Sequence, residues 1–102
     1  MKSQPILRAL AEPNRQAILK LVRDKPRSVG EIGEHFDISQ QAVSQHLQVL
    51  AEAGLLEAER KGKQRLYVVN TEGLEALERF VAELWPSGPR RPKKAVESRR
   101  GK

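Results

Sequence analysis

The chain has 102 residues, 38% of them hydrophobic, which is room for one domain with a modest core. It has no cysteine, which excludes disulfides, thiolate metal sites and cysteine redox sensing. It also has no run of eighteen apolar residues to span a membrane, and no early apolar stretch long enough for a signal peptide, so a cytoplasmic protein is expected. The net charge is +6, and the segment 86–102 alone carries that excess, through Arg90, Arg91, Lys93, Lys94, Arg99, Arg100 and Lys102 against Glu97. Residues 1–85 balance to zero. A basic overall charge is therefore no argument that the folded part binds nucleic acid; the placement of charges must decide.

In chain order, Pro5 to Leu10 reads as a short helix with Ile6, Leu7 and Leu10 on one side. Pro13 suits the first turn of a second helix, in which Ala17, Ile18, Leu21 and Val22 repeat at helical spacing before Pro26 closes it. Ser28-Val29-Gly30-Glu31 is a capping-box sequence opening a short helix with Val29, Ile32 and Phe36 inward. After a tight turn at Asp37-Ile38, Ser39 caps a longer helix whose buried face is Val43, Leu47 and Leu50, with Gly54 as its C′ residue. Leu56 to Arg60 and Gln64 to Val69 then read as two strands around a Lys61-Gly62-Lys63 turn. Thr71 is the expected cap of a last helix carrying Leu74, Leu77, Val81 and Leu84, which Pro86 stops. The segment 86–102 has no periodicity, three prolines and dense charge, and is expected to be a disordered basic tail, an arm for a polyanion or a purely solubilising segment. The order α-α-α-α-β-β-α predicts a mainly α fold with a β-hairpin wing: a winged helix-turn-helix domain over residues 1–85.

The helix after Ser39 is the informative one. Opposite its apolar stripe stand Gln40, Gln41, Ser44, Gln45 and Gln48, and with His46 neutral no charge of either sign occurs from Ser39 to Ala51. Carboxylates would be repelled by phosphates, whereas glutamine bonds bidentately to adenine and serine donates or accepts. These five are the candidate base readers, with Ser39 beside them as a candidate DNA-backbone contact and His46 as a DNA-backbone contact or a helix-packing residue. A neutral polar surface helix would show the same composition. Arg60, Lys61, Lys63 and Arg65 at the hairpin tip supply a local basic patch suited to phosphates. Protection of a sheet edge would also place charges there; beside a neutral reading helix, the phosphate role is preferred. The acids Glu72, Glu75, Glu78 and Glu83 lie on the last helix, which should face away from DNA. Phe80 and Trp85 widen its apolar surface, so Ile6, Leu7, Leu10, Leu74, Leu77, Phe80, Val81, Leu84 and Trp85 are expected to form a homodimer interface. A twofold dimer would set two recognition helices about one turn of DNA apart.

Three other classes compete. A protein-docking winged helix should expose apolar anchors where this chain offers amides. An RNA-binding one wants aromatic platforms. An enzyme needs a nucleophile, base and orienter, or a phosphate loop, and no such set is visible.

The stretches ALAEPNRQAILKLV (9–22) and RSVGEIGEHFDISQQAVSQHLQVLAEAGLLEAERKGKQRLYVVN (27–70), with the helix that follows, resemble the ArsR family of bacterial repressors over residues 5–85. The resemblance implies dimerisation through the last helix, an inverted-repeat operator in double-stranded DNA, and repression relieved by an effector. Sensing members of the family carry two cysteines on the helix that opens the helix-turn-helix, or bind zinc through His, Asp and Glu on the last helix. Here there is no thiol, 71–85 contains no histidine, and His35 and His46 stand apart. The expectation is a member with no metal site, no cofactor and an effector, if one acts, of unknown chemistry.

Overall fold

The computed structural model describes residues 3–86; the expected disordered tail over 86–102 falls almost wholly outside them. The elements run α1 (Ser3–Leu10), α2 (Pro13–Asp24), α3 (Val29–Gly33), α4 (Gln40–Glu52), β1 (Leu56–Lys61), β2 (Gln64–Val69) and α5 (Thr71–Leu84). The order is the expected one. α1 begins two residues before Pro5, which sits in the first turn, where no backbone donor is lost.

Local chemistry accounts for the boundaries. Glu12 caps α2, its Oε1 accepting the Arg15 N–H at 3.1 Å, and Pro13 occupies N1. The capping box of α3 is complete: Glu31 N donates to Ser28 Oγ, and Ser28 N donates to Glu31 Oε1 at 2.8 Å. Ser39 Oγ accepts from Ala42 N at the start of α4. Gly54, at φ +84°, ends α4 in the left-handed region where a side chain would be strained. The cap of α5 is Asn70, not Thr71: Asn70 Oδ1 accepts from Glu72 N at 2.9 Å, and Thr71 is the first helical residue. An amide oxygen is the better cap of the two, which moves the boundary by one position.

β1 and β2 form an antiparallel hairpin with Leu56 opposite Val69 and Lys61 opposite Gln64. The connection is tighter than the three-residue turn expected. Lys61 is still in strand, and only Gly62 and Lys63 lie in the loop. Gly62 at φ +63°, with no positive φ at Lys63, fits a two-residue turn with glycine first. The hairpin is anchored by an unanticipated bridge, in which Tyr67 N donates to Arg27 O at 2.8 Å and Arg27 N donates to Tyr67 O at 3.3 Å.

The core is Ile6, Ala9, Ile18, Val22, Ile32, Val43, Leu47, Leu50, Leu55 and Leu56, drawn from α1 to α4 and the root of β1. Every residue in it is apolar, so no buried side chain needs a polar partner. Arg15 fastens the elbow between α1 and α2. Its Nε donates to Ala9 O at 2.7 Å, a carbonyl at the end of α1, and its Nη2 to Arg8 O at 3.4 Å, beside the bond Arg8 O already accepts from Ala11 N at 3.2 Å. Gln16 Nε2 adds a bond to Leu10 O at 2.7 Å.

The caps and the elbow can both be tested. The backbone N–H of Ser28 holds the Glu31 carboxyl below the usual glutamate range. A depressed folded value means that the cap's charge contributes stability above the unfolded value, and that this is lost as pH falls through the folded one. The melting-temperature gap between wild type and Glu31→Gln should therefore be positive at neutral pH and close in acid; a pH-independent gap contradicts the assignment. Arg15→Ala takes the donor from the part-buried Ala9 carbonyl and should lower urea-unfolding stability by about 1–3 kcal/mol.

Candidate nucleic-acid interface

α3 and α4 with the turn between them form the helix-turn-helix, and α4 is the element that reaches outward. Val43, Leu47 and Leu50 are fully buried on one side of it. Gln40, Gln41, Ser44, Gln45 and Gln48 are all exposed on the other. Gln41, Gln45 and Gln48, at spacings of four and three, fall on one stripe. Glu52 continues that stripe one turn further, and Gln48 Nε2 donates to Glu52 Oε2 at 3.1 Å. Sequence reasoning stopped at Ala51 and missed this carboxylate. Gln48 thus has its amide turned by an acid at the far end of the face. The unencumbered set is Gln40, Gln41, Ser44 and Gln45, on the first turns of the helix.

His46 does not belong to that face. Its side chain is 18% exposed and turned back toward α2. Arg15 Nη1 lies 3.3 Å from His46 Nδ1, and His46 Nε2 lies 3.9 Å from Glu12 Oε1. Arginine only donates, so Nδ1 accepts and the proton of the neutral ring sits on Nε2, toward Glu12. Of the two roles expected for His46, the ring takes helix packing, as a link between the middle of α4 and the α1–α2 elbow. Position 46 flanks the buried stripe, and a ring there reaches the neighbouring helix first. Ser39, exposed at the N-terminus of α4, uses its oxygen lone pairs for the cap and keeps its hydroxyl proton free to donate.

On the wing, Arg60 stands directly opposite Arg65, and Lys61 opposite Gln64, with Lys63 in the loop; all are exposed. Like charges facing each other across a ladder destabilise a hairpin. Among the described residues, none of these four is in an ion pair. The arrangement favours an anionic partner over simple edge protection.

α5 leaves most of its apolar side chains outside the core. Gly73 is its one buried residue, and Ala76 and Leu77 pack partly on the core. Leu84 is 71% exposed, Trp85 48%, and Leu74 and Val81 38% each. Leu7, Leu10 and Phe80 are half-buried. Ile6 is corrected: at 2% exposure it belongs to the monomer core and has no surface left for a partner. An amphipathic helix as short as α1 packs on both α2 and α5, and its sequence does not say which apolar residue goes inward.

Among the described residues, no three His, Asp or Glu side chains gather as a metal site. His35 Nδ1 sits 3.1 Å from Glu31 O, and His46 is engaged with α2. Neither histidine has the ligand partners that a zinc site in this fold requires. No helix among the described residues is long and apolar enough to cross a membrane.

Residues 10–59 match the helix-turn-helix domain family. Over 70 residues the chain is 36% identical to the transcriptional repressor SdpR of Bacillus subtilis, covering 69% of this chain and 78% of that protein. The crystal structure of an ArsR family transcriptional regulator superposes with a TM-score of 0.76 at 29% identity, over 85% of this chain and 99% of the other. The homodimeric winged helix-turn-helix DNA-binding domain of Mb0332 from Mycobacterium bovis, a possible ArsR-family regulator, gives a TM-score of 0.67 at 30% identity, over 84% and 82% of the two chains. Helix order, wing and relatives agree, and the chain belongs to the ArsR family of winged helix-turn-helix transcriptional regulators.

Proposed function

We propose that the protein is a cytoplasmic homodimeric repressor that binds an inverted-repeat operator in double-stranded DNA and needs no metal to do so. The observation that carries this reading is the uncharged, amide-lined outer face of α4 beside a wing whose four basic side chains have no acidic partner among the described residues. The first turns of α4 enter the major groove, where Gln41 and Gln45 read base edges and Gln40 and Ser44 flank them. Arg60, Lys61, Lys63 and Arg65 hold phosphates, and Ser39 donates to one at the helix start. Relatives support the two remaining parts: SdpR is a repressor, and the Mb0332 domain is a homodimer. The apolar surface left open on α5 by Leu74, Val81, Leu84 and Trp85 gives that dimer its contact. A metal effector is not part of this reading, because the chain has no cysteine and its histidines lack ligand partners among the described residues.

Selection of bound sequences from random DNA tests the whole reading, which requires a twofold-symmetric site. On that site, Gln41→Ala and Gln45→Ala should each lose about 1–3 kcal/mol while random DNA is bound almost as before. Lys61→Ala and Lys63→Ala should weaken both DNAs together and flatten the salt dependence by about 0.9 for each phosphate left without its cation. Equal losses on both DNAs for the glutamine variants would remove the claim of base reading. Val81→Asp, at an exposed position that leaves the monomer core intact, should sediment as a monomer where wild type is a dimer.

A further inference from the structure

The end of the recognition helix and the start of α5 are joined backbone to backbone. Gly54 N donates to Ala51 O and Leu55 N to Leu50 O, each at 3.0 Å, closing α4. Asn70 N then donates to Leu55 O at 2.9 Å. One turn into α5, buried Gly73 lies flat on the same spot. A Cβ added there would stand 2.0 Å from Gly54 O, 2.7 Å from Gly54 C and 3.2 Å from Leu55 Cα. All three are backbone atoms, so no side chain can swing aside. A glycine within a helix is disfavoured against alanine; in the first turn of α5 the close approach of two chain segments requires it.

Resting on the dimeric DNA-binding reading above, we infer that the Gly73–Gly54 contact sets the half-site spacing of the operator. α5 carries the open apolar face at Val81, Leu84 and Trp85. α4 carries the reading face. Within one protomer these two elements meet at Gly54-Leu55 and Asn70–Gly73. The offset between the dimer axis and each recognition helix therefore runs through this junction and through α1, which packs on both α4 and α5. An ordinary van der Waals contact begins at 3.4 Å, so a methyl group on Gly73 must push α5 away by at least 1.4 Å. Twofold symmetry applies the shift to both protomers, so its component along the DNA axis counts twice against a rise of about 3.4 Å per base pair. Gly73 is a positioning residue: it touches no DNA and acts through where it places α4.

The test is a set of synthetic operators in which two identical half-sites are separated by spacers differing by single base pairs. Wild-type protein should show one optimum. Gly73→Ala should move that optimum by one base pair while remaining a dimer by sedimentation, and the penalty of Gln41→Ala on an isolated half-site should be the same with and without it. Gly54→Ala is the control. It is strained at φ +84° but has no atom within 4 Å of the new Cβ, so it should lose stability and keep the wild-type optimum. If Gly73→Ala does not fold, Asn70→Pro is used. It removes the donor to Leu55 O without adding bulk at Gly73, and should broaden the spacing preference beyond that of Asn70→Ala, which loses only the side-chain cap. A Gly73→Ala protein with the wild-type optimum, or Asn70→Pro indistinguishable from Asn70→Ala, overturns the inference. Wild type that binds all spacings alike overturns the dimeric reading, and this inference with it.

Discussion

The rest of the molecule depends on the burial of one stripe of α4. Val43, Leu47 and Leu50 lose all but a trace of their surface, against residues from α1, α2 and α3 and the root of β1. Truncating a buried leucine of this kind to alanine removes about 2–5 kcal/mol, comparable to the whole stability of a small domain. The stripe therefore fixes the rotation of α4 about its own axis. A helix advances about 100° per residue, so a change of one position in the inward set would carry Gln41 and Gln45 to the flank. The reading face is oriented by the core behind it, and the caps at Ser39 and Gly54 fix where that face begins and ends.

α5 shows the opposite balance. It meets its own protomer through Gly73, Ala76 and Leu77, and leaves much of its apolar surface in water. A domain this small gains limited stability from its own core, and a partner that covers the remaining face adds what the monomer lacks. On the dimeric reading proposed above, the same arrangement couples association to DNA binding. A helix tied to the core by backbone contacts transmits its position, and side-chain rotations cannot absorb a displacement at Gly54.

Much of this is legible in the residues, for identifiable reasons. The capping box at Ser28, the C′ glycine at Gly54 and the turn glycine at Gly62 are local signals, and local structure obeys them. The recognition stripe is visible because its periodicity is helical and its charges are missing. What cannot be read is tertiary. Asn70 and Thr71 are adjacent and both able to cap, and the advantage of the amide oxygen is joined by a bond from Asn70 N to Leu55 O, fifteen residues back. Ile6 and Leu7 share an amphipathic helix, and the sequence does not say that one faces the core and the other remains half open. His46 is one position off the buried stripe, and its bond to Arg15 spans 31 residues. Gly73 reads as a weak point in a helix; its reason lies on the other side of the contact, at Gly54. Glu52 stands one residue beyond the uncharged run that marks the reading face, and only the side-chain bond to Gln48 ties it to that face.

The distribution of charge explains why such a domain can discriminate between sequences. Residues 1–85 carry no net charge, so the long-range pull toward phosphate is weak except at the wing. Phosphate attraction is indifferent to sequence and supplies most of the non-specific affinity. A reading face without lysine or arginine adds little to that background. What it adds comes through amide groups, whose bonds form only when the base edge presents the matching donors and acceptors. Specificity is the ratio of the two affinities. With four cations clustered at the hairpin tip and no charge on the first three turns of α4, the proposed mode of binding holds the denominator of that ratio down on the reading face and leaves the numerator to the glutamines.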